Sequence, residues 1–127
     1  ALAAHMLSLT EGLHLSQQHR VVMADLFALH SVTVQGATAE HEATLRQTRK
    51  ALLEATGLPT PGFDDYVFHI TLAYPIDWVS AGVAEAMVAL GAELSERYRD
   101  AVGEIALGPV EFCTFESMHH FEPLRRL

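Results

Sequence analysis

The chain has 127 residues, half of them hydrophobic, and a formal net charge of −8 at pH 7. This length fits one domain with a modest core, and no apolar run reaches the roughly 18 to 20 residues that a membrane-spanning helix needs. The acidic charge argues against a protein that tracks duplex nucleic acid through its phosphates, although a local pocket can still hold a small phosphate ester or an RNA end.

The N-terminal segment 1–19 has no clear period, and we separate it from residues 20–127 within a single domain 1–127. Ala1 to His5 precede Met6 and are consistent with a vector-derived remnant, with Met6 as the natural start. No basic region leads into an apolar core and a cleavage site, so we expect a cytoplasmic protein without a signal peptide. Leucines alternate with polar residues from Leu7 to Leu15, which favours a strand broken at Gly12, with a short helix as the alternative.

Two strands are predicted at 20–27 and 31–35, joined by a tight connection. A helix follows, with Thr38 as its N-cap, acidic residues in its first turn, and Gly57 as its C-terminal cap. Glu42 and Arg46 have the i,i+4 spacing of an ion pair. We interpret Arg46, Arg49 and Lys50 as solvated basic positions on this helix.

Residues 66–74 read Tyr-Val-Phe-His-Ile-Thr-Leu-Ala-Tyr and predict a buried strand that ends at Pro75. Alternation places Val67, His69, Thr71 and Ala73 on one face, and Phe68, Ile70, Leu72 and Tyr74 on the other. An imidazole beside a hydroxyl on a rigid strand forms a proton-transfer group with a fixed hydrogen-bond donor. The alternative is a core histidine whose nitrogens are satisfied by its neighbours.

A second long helix is predicted from a cap at Asp77 or Ser80 to about Asp100. Its expected buried stripe consists of Val83, Met87, Leu90 and Leu94. One or two closing strands are predicted over 104–107 and 110–115, while the tail 116–127 shows no clear pattern. This order predicts an α+β fold with a mainly antiparallel sheet and two main helices on one face.

Two other features of the sequence give weaker indications of a functional site. His119 and His120 lie near Glu116 and Glu122, but we interpret them as exposed polar residues and expect no metal and no cofactor. The single cysteine, Cys113, cannot form an internal disulfide, which fits a reducing cytoplasm and excludes a zinc site built on several thiolates. Its apolar strand favours packing over nucleophilic chemistry.

The motif His69-Ile70-Thr71-Leu72 resembles the H-x-T-x signature of the two-histidine (2H) phosphoesterase superfamily. The surrounding sequence is similar to a bacterial and fungal branch known as a domain of unknown function. This similarity covers about residues 20–127 and includes Leu45-Arg46 to Thr56-Gly57, Phe63 to Tyr74 and Gly108 to Met118.

The resemblance implies one lobe of a bilobal α+β fold, in which each lobe contributes one H-x-T-x strand to a shared cleft. It implies cleavage or formation of cyclic phosphate and 2′,5′ linkages without metal or cofactor. One histidine acts as general base, the other protonates the leaving oxygen, and the hydroxyls bind the phosphate. In this chain His69 and Thr71 match that pattern.

The resemblance also implies a first H-x-T-x motif, in an N-terminal lobe. This motif is harder to find, because the chain contains little beyond the second lobe. His14-Leu15-Ser16 has the right parity for one strand face, so His14 and Ser16 are the favoured candidates. His5 with Ser8, and His30 with Thr33, would fall on opposite faces of a regular strand.

Two functions therefore follow as expectations. The first is a cyclic phosphodiesterase acting on a small phosphate ester or RNA end, completed by a homodimer that brings two copies of His69 and Thr71 together. The second is a half-domain that has lost catalysis and binds a phosphate ligand or supports assembly.

Overall fold

The computed structural model describes residues 1–127. The chain order is α1 (Leu2–Leu9), β1 (His19–Phe27), β2 (Ser31–Gly36), α2 (Ala39–Thr56), β3 (Phe68–Thr71), α3 (Ala81–Val102), β4 (Glu104–Leu107), β5 (Glu111–Ser117) and β6 (His120–Arg126). A four-stranded antiparallel sheet has the order β3-β2-β1-β4, and β5 pairs with β6 in a separate hairpin. The predicted α+β class with a mainly antiparallel sheet is confirmed.

The core lies between α2 and one face of the four-stranded sheet. Val21 of β1, Val34 of β2 and Leu45 of α2 form its buried cluster. Partly buried side chains from the outer strands and β2 complete it, namely Val32, Phe68, Ile70, Ile105 and Leu107. Because strand residues alternate between faces, the intervening positions of β2 and β3 point to the uncovered face of the sheet.

The ends of α2 follow the capping residues expected from the sequence. The Thr38 hydroxyl accepts a hydrogen bond from the His41 N–H at 3.2 Å, and Gly57 adopts a left-handed conformation with φ of 62°. Arg46 Nε donates to the Glu42 carboxylate at 2.9 Å. These three predictions are confirmed, because caps and i,i+4 pairs depend on residues within a few positions of each other.

The contact of α3 with the sheet differs from the expected stripe. Ser80 is its N-cap as predicted, but its buried residues are Gly91 and Ser95, while Val83 and Leu90 are exposed. The expected stripe is therefore wrong at these two positions. Small residues replace it because α3 lies directly against the backbone of β1, where a longer side chain has no room.

Two groups form this close contact. The Ser95 hydroxyl accepts from the Leu26 N–H at 2.7 Å and also lies within hydrogen-bond reach of the Asp25 carboxylate. At Gly91, an added Cβ would clash with the Leu26 carbonyl oxygen and lie 3.2 Å from the Ala28 nitrogen. The glycine is thus required by close approach of two backbones.

The strand expected within residues 7–15 is wrong, and the short-helix alternative is correct only at 7–9, where α1 ends. Residues 2–9 form α1, and residues 13–18 have no regular structure. Arg125 of β6 donates to the Leu7 carbonyl at 2.7 Å and to the Thr10 hydroxyl at 2.6 Å. This contact between distant parts of the chain satisfies groups at the end of α1, and no local pattern reveals it.

The Gly91→Ala substitution is expected to destabilise the protein by about 1–3 kcal/mol, because the new methyl group overpacks the contact with β1. The matched control is Gly82→Ala in the same helix, where an added Cβ meets no atom within 4 Å. That substitution is expected to be neutral or to stabilise by up to about 1 kcal/mol. Urea unfolding followed by circular dichroism measures both. Equal effects of the two substitutions would contradict the proposed contact.

Candidate functional site

The candidate site lies on β3, which is shorter and less covered than the sequence suggests. The strand comprises only Phe68–Thr71 and is the edge strand of the sheet, and Leu72 and Tyr74 are more than half exposed. The prediction of a buried strand over 66–74 is correct for the presence of a strand and wrong for its length and burial. The reason is the length of its partner, since pairing with β2 ends where Ser31 meets Thr71.

His69 and Thr71 both lie exposed on the uncovered face, as alternation predicts. The His69 Nδ1 is 3.3 Å from the carbonyl oxygen of Val67. A carbonyl can only accept, so this hydrogen bond requires the proton on Nδ1 of the neutral ring. The other nitrogen, Nε2, is then an acceptor, which is the state that a general base needs.

Two hydroxyl residues of β2 join this face. Thr33 pairs with His69 across the strands, and Ser31 pairs with Thr71. Directly opposed residues of an antiparallel pair share a face, with Cβ atoms about 4.5–5.5 Å apart. The sequence alone indicates no role for Ser31, and it places Thr33 only in the separate motif with His30. The register of β2 against β3 is the signal that identifies both.

The other histidine motifs occupy different places. The Ser16 hydroxyl donates to the Gln18 carbonyl at 2.9 Å, and both His14 and Ser16 line a pocket against α2. Neither His69 nor Thr71 lines that pocket. The structure therefore does not bring the favoured pair His14 and Ser16 together with His69 and Thr71 within one chain.

His30 contacts residues next to the site, although in a regular strand its side chain would lie on the opposite face from Thr33. It belongs to the turn between β1 and β2, where Ala28 and Leu29 have positive φ. Its ring Nδ1 is 2.9 Å from the Ser31 hydroxyl, and its carbonyl accepts from the Leu72 N–H at 2.8 Å. Alternation between faces holds for a regular strand, and His30 lies in a turn, where it does not apply.

A cavity of about 430 Å³ borders the site at the other end of β3. Thr33 and Val67 line it, together with Asp64, Asp65 and Arg46. The Arg46 guanidinium already donates to Glu42 and, at 2.8 Å, to the Tyr66 carbonyl. Its carboxylates make this cavity a poor site for an anion.

Two further observations concern metal ions and membranes. No group of three or more histidine, cysteine, aspartate or glutamate side chains is placed to hold a metal ion. None of its helices is both long enough and apolar enough to cross a membrane.

Comparisons with known proteins inform the fold. No protein-family model and no curated protein matches the chain. Among solved structures, it is similar to a conserved protein of unknown function from Agrobacterium tumefaciens, with a TM-score of 0.83 and 26% sequence identity. The match covers 98% of this chain and 53% of the other, so the chain spans about half the length of that protein.

We expect His69 to carry its proton on Nδ1 when the ring is neutral, the reverse of the tautomer that predominates in free histidine. The cause is the hydrogen bond to the Val67 carbonyl. Nitrogen-15 NMR of the histidine rings distinguishes the two tautomers, and His14, in the irregular segment, serves as the internal reference. An Nε2-protonated His69 would show that the ring is not held in the described orientation.

Proposed function

We propose that the chain acts as a metal-independent phosphodiesterase on 2′,3′-cyclic phosphates or similar nucleotide and RNA-end esters. The observation that carries this proposal is the exposed pair His69 and Thr71, with Nδ1 of His69 directed to the Val67 carbonyl. The resemblance of His69-Ile70-Thr71-Leu72 to the H-x-T-x signature supports it. Imidazole acid and base chemistry of this kind requires no cofactor.

In the proposed reaction, Nε2 of His69 removes a proton from a water molecule, which attacks the phosphorus atom of the cyclic ester. The Thr71 hydroxyl donates a hydrogen bond to a non-bridging phosphate oxygen as negative charge develops there. The bond to one ribose oxygen breaks, and that oxygen takes up a proton. A second proton donor is therefore needed opposite His69.

We further propose that a second copy of the chain supplies this donor. Since β3 is an edge strand, no element of the sheet lies beyond it. A two-fold axis near this edge would place identical residues of both copies opposite each other. The segment after Thr71 offers an apolar contact surface, formed by the exposed residues Leu72, Tyr74, Ile76, Trp78 and Val79.

The alternative function is that of a half-domain that binds a phosphate ligand or supports assembly without catalysis. Apolar positions of α3 are exposed as well, namely Val83, Val88, Leu90, Tyr98 and Val102. Surfaces of this kind favour association, and the chain spans only 53% of its structural neighbour. In this alternative the His69 face binds a phosphate but lacks its acid counterpart.

The His69→Ala variant is expected to hydrolyse 2′,3′-cyclic nucleotides about 10²–10⁴-fold more slowly than the wild type, because it lacks the general base. Thr71→Val is expected to reduce the rate as well, since it loses a donor to the phosphate. Rates are measured by chromatography with chelator present. A panel of nucleotides and cyclic-phosphate-ended oligonucleotides covers the substrate class.

The controls test two of the three other histidine motifs. His14→Ala should retain the wild-type rate, because His14 lies against α2 and away from the site. His30→Ala should also retain the wild-type rate, because the second copy of the chain supplies the proton. A loss as large as that of His69→Ala would assign the second proton to His30 within one chain and contradict the proposed dimer site. Equal, negligible rates in the wild type and His69→Ala would favour the half-domain.

Association is expected to bury Trp78, the single tryptophan, which is 98% exposed. Its fluorescence should therefore shift to shorter wavelength as protein concentration rises, in parallel with dimer formation in sedimentation experiments. Trp78→Asp should abolish the dimer, because a charge in an apolar interface is costly. The control is Leu2→Asp on exposed α1. A dimer that persists in Trp78→Asp would contradict this interface.

A further inference from the structure

A second cavity lies on the opposite side of the sheet from His69, between α2 and the loop that leads to β3. Its volume is about 410 Å³, which is within the range of small-molecule sites. Most of its lining is apolar, with contributions from Leu45, Leu52, Leu53, Phe63 and Phe68. A few polar groups converge on it, namely His19, Thr48, Arg49 and Thr60.

Arg49 is the unusual member of this lining. Its guanidinium lies over the Tyr66 ring, 3.5 Å from the centroid, and 4.9 Å from the centroid of Phe63. Its Nε is buried and has no hydrogen-bond partner, and none of the four ion pairs of the chain involves it. The sequence-based interpretation of Arg49 as a solvated position is thus wrong.

A buried cationic N–H without an acceptor is costly, and native proteins generally satisfy such groups. Stacking on two aromatic rings holds the planar guanidinium but provides no acceptor for Nε. An anion in the cavity would supply the missing countercharge, through a charge-assisted hydrogen bond to the guanidinium.

His19 adds a second polar anchor at the same cavity. It is only 4% exposed, and its Nε2 is 3.1 Å from the Thr48 hydroxyl. A histidine and a hydroxyl bonded to each other can present further hydrogen-bonding capacity to a ligand. The cavity thus combines an apolar body with a polar, cationic wall.

We propose that this cavity binds a small amphipathic carboxylate, with its apolar or aromatic part among the leucines and its carboxylate against Arg49. The carboxylate pairs with the Arg49 guanidinium, and the apolar part is removed from water by the side chains of α2. A bare phosphate would leave the apolar walls unfilled, and a neutral apolar molecule would leave the guanidinium without a countercharge. This proposal does not depend on the activity proposed for His69.

The test compares 4-phenylbutyrate with 4-phenyl-1-butanol, which has the same apolar body without the charge. Binding to the full chain is measured by calorimetry. We expect the carboxylate to bind about tenfold more tightly, because it alone forms the charge-assisted bond with Arg49. Binding of neither compound, or equal affinity for both, would overturn the proposal.

Arg49→Gln should remove the advantage of the carboxylate and leave the affinity for the alcohol unchanged. The matched control is Lys50→Gln, which changes the net charge equally at an exposed position of the same helix. An equal loss of affinity for the carboxylate in both variants would show that the effect comes from net charge. That result would overturn the proposal of a specific site at Arg49. Circular dichroism checks that both variants are folded.

A measurement on the wild type keeps the proposal testable if Arg49→Gln does not fold. During titration with 4-phenylbutyrate, the NMR signals of the His19 ring should shift with saturation, because His19 lines the cavity. His119, between β5 and β6, should not respond. Unchanged His19 signals at saturation of the calorimetric signal would place the ligand elsewhere and refute the assignment.

Discussion

The structure depends on how the backbone N–H and C=O groups of β1 find hydrogen-bond partners on both edges of the strand. β2 pairs with one edge from Val21 to Phe27, and β4 pairs with the other edge only over its first residues. Beyond that point the Ser95 hydroxyl bonds to the Leu26 N–H, so α3 occupies the place of a strand. Since an unpaired strand edge exposes hydrogen-bonding groups, this helix contact completes the sheet.

This arrangement determines which residues lie together on the uncovered face of the sheet. β1 fixes β2, and the register of β2 fixes β3, which places Thr33 opposite His69 and Ser31 opposite Thr71. It also leaves β3 at the sheet edge and much of α3 without a covering element. An accessible site and exposed apolar surface are therefore two consequences of the same topology.

The two proposed sites lie on opposite faces of the sheet and meet at Tyr66. Its ring lies under the Arg49 guanidinium, at 3.5 Å from centroid to Cζ, and its centroid is 6.2 Å from that of the His69 ring. The loop that carries Tyr66 leads directly into β3. The position of this aromatic residue thus connects the amphipathic cavity to the face that carries His69.

Features that depend on neighbouring residues follow from the sequence alone: the caps of α2 at Thr38 and Gly57, and the shared face of His69 and Thr71. Other features arise only from the packing of distant segments. The Arg125 contact with α1, the register of Thr33 and the stacking of Arg49 join residues far apart in the chain. Periodicity describes one element at a time, whereas burial and close approach depend on which element becomes its neighbour.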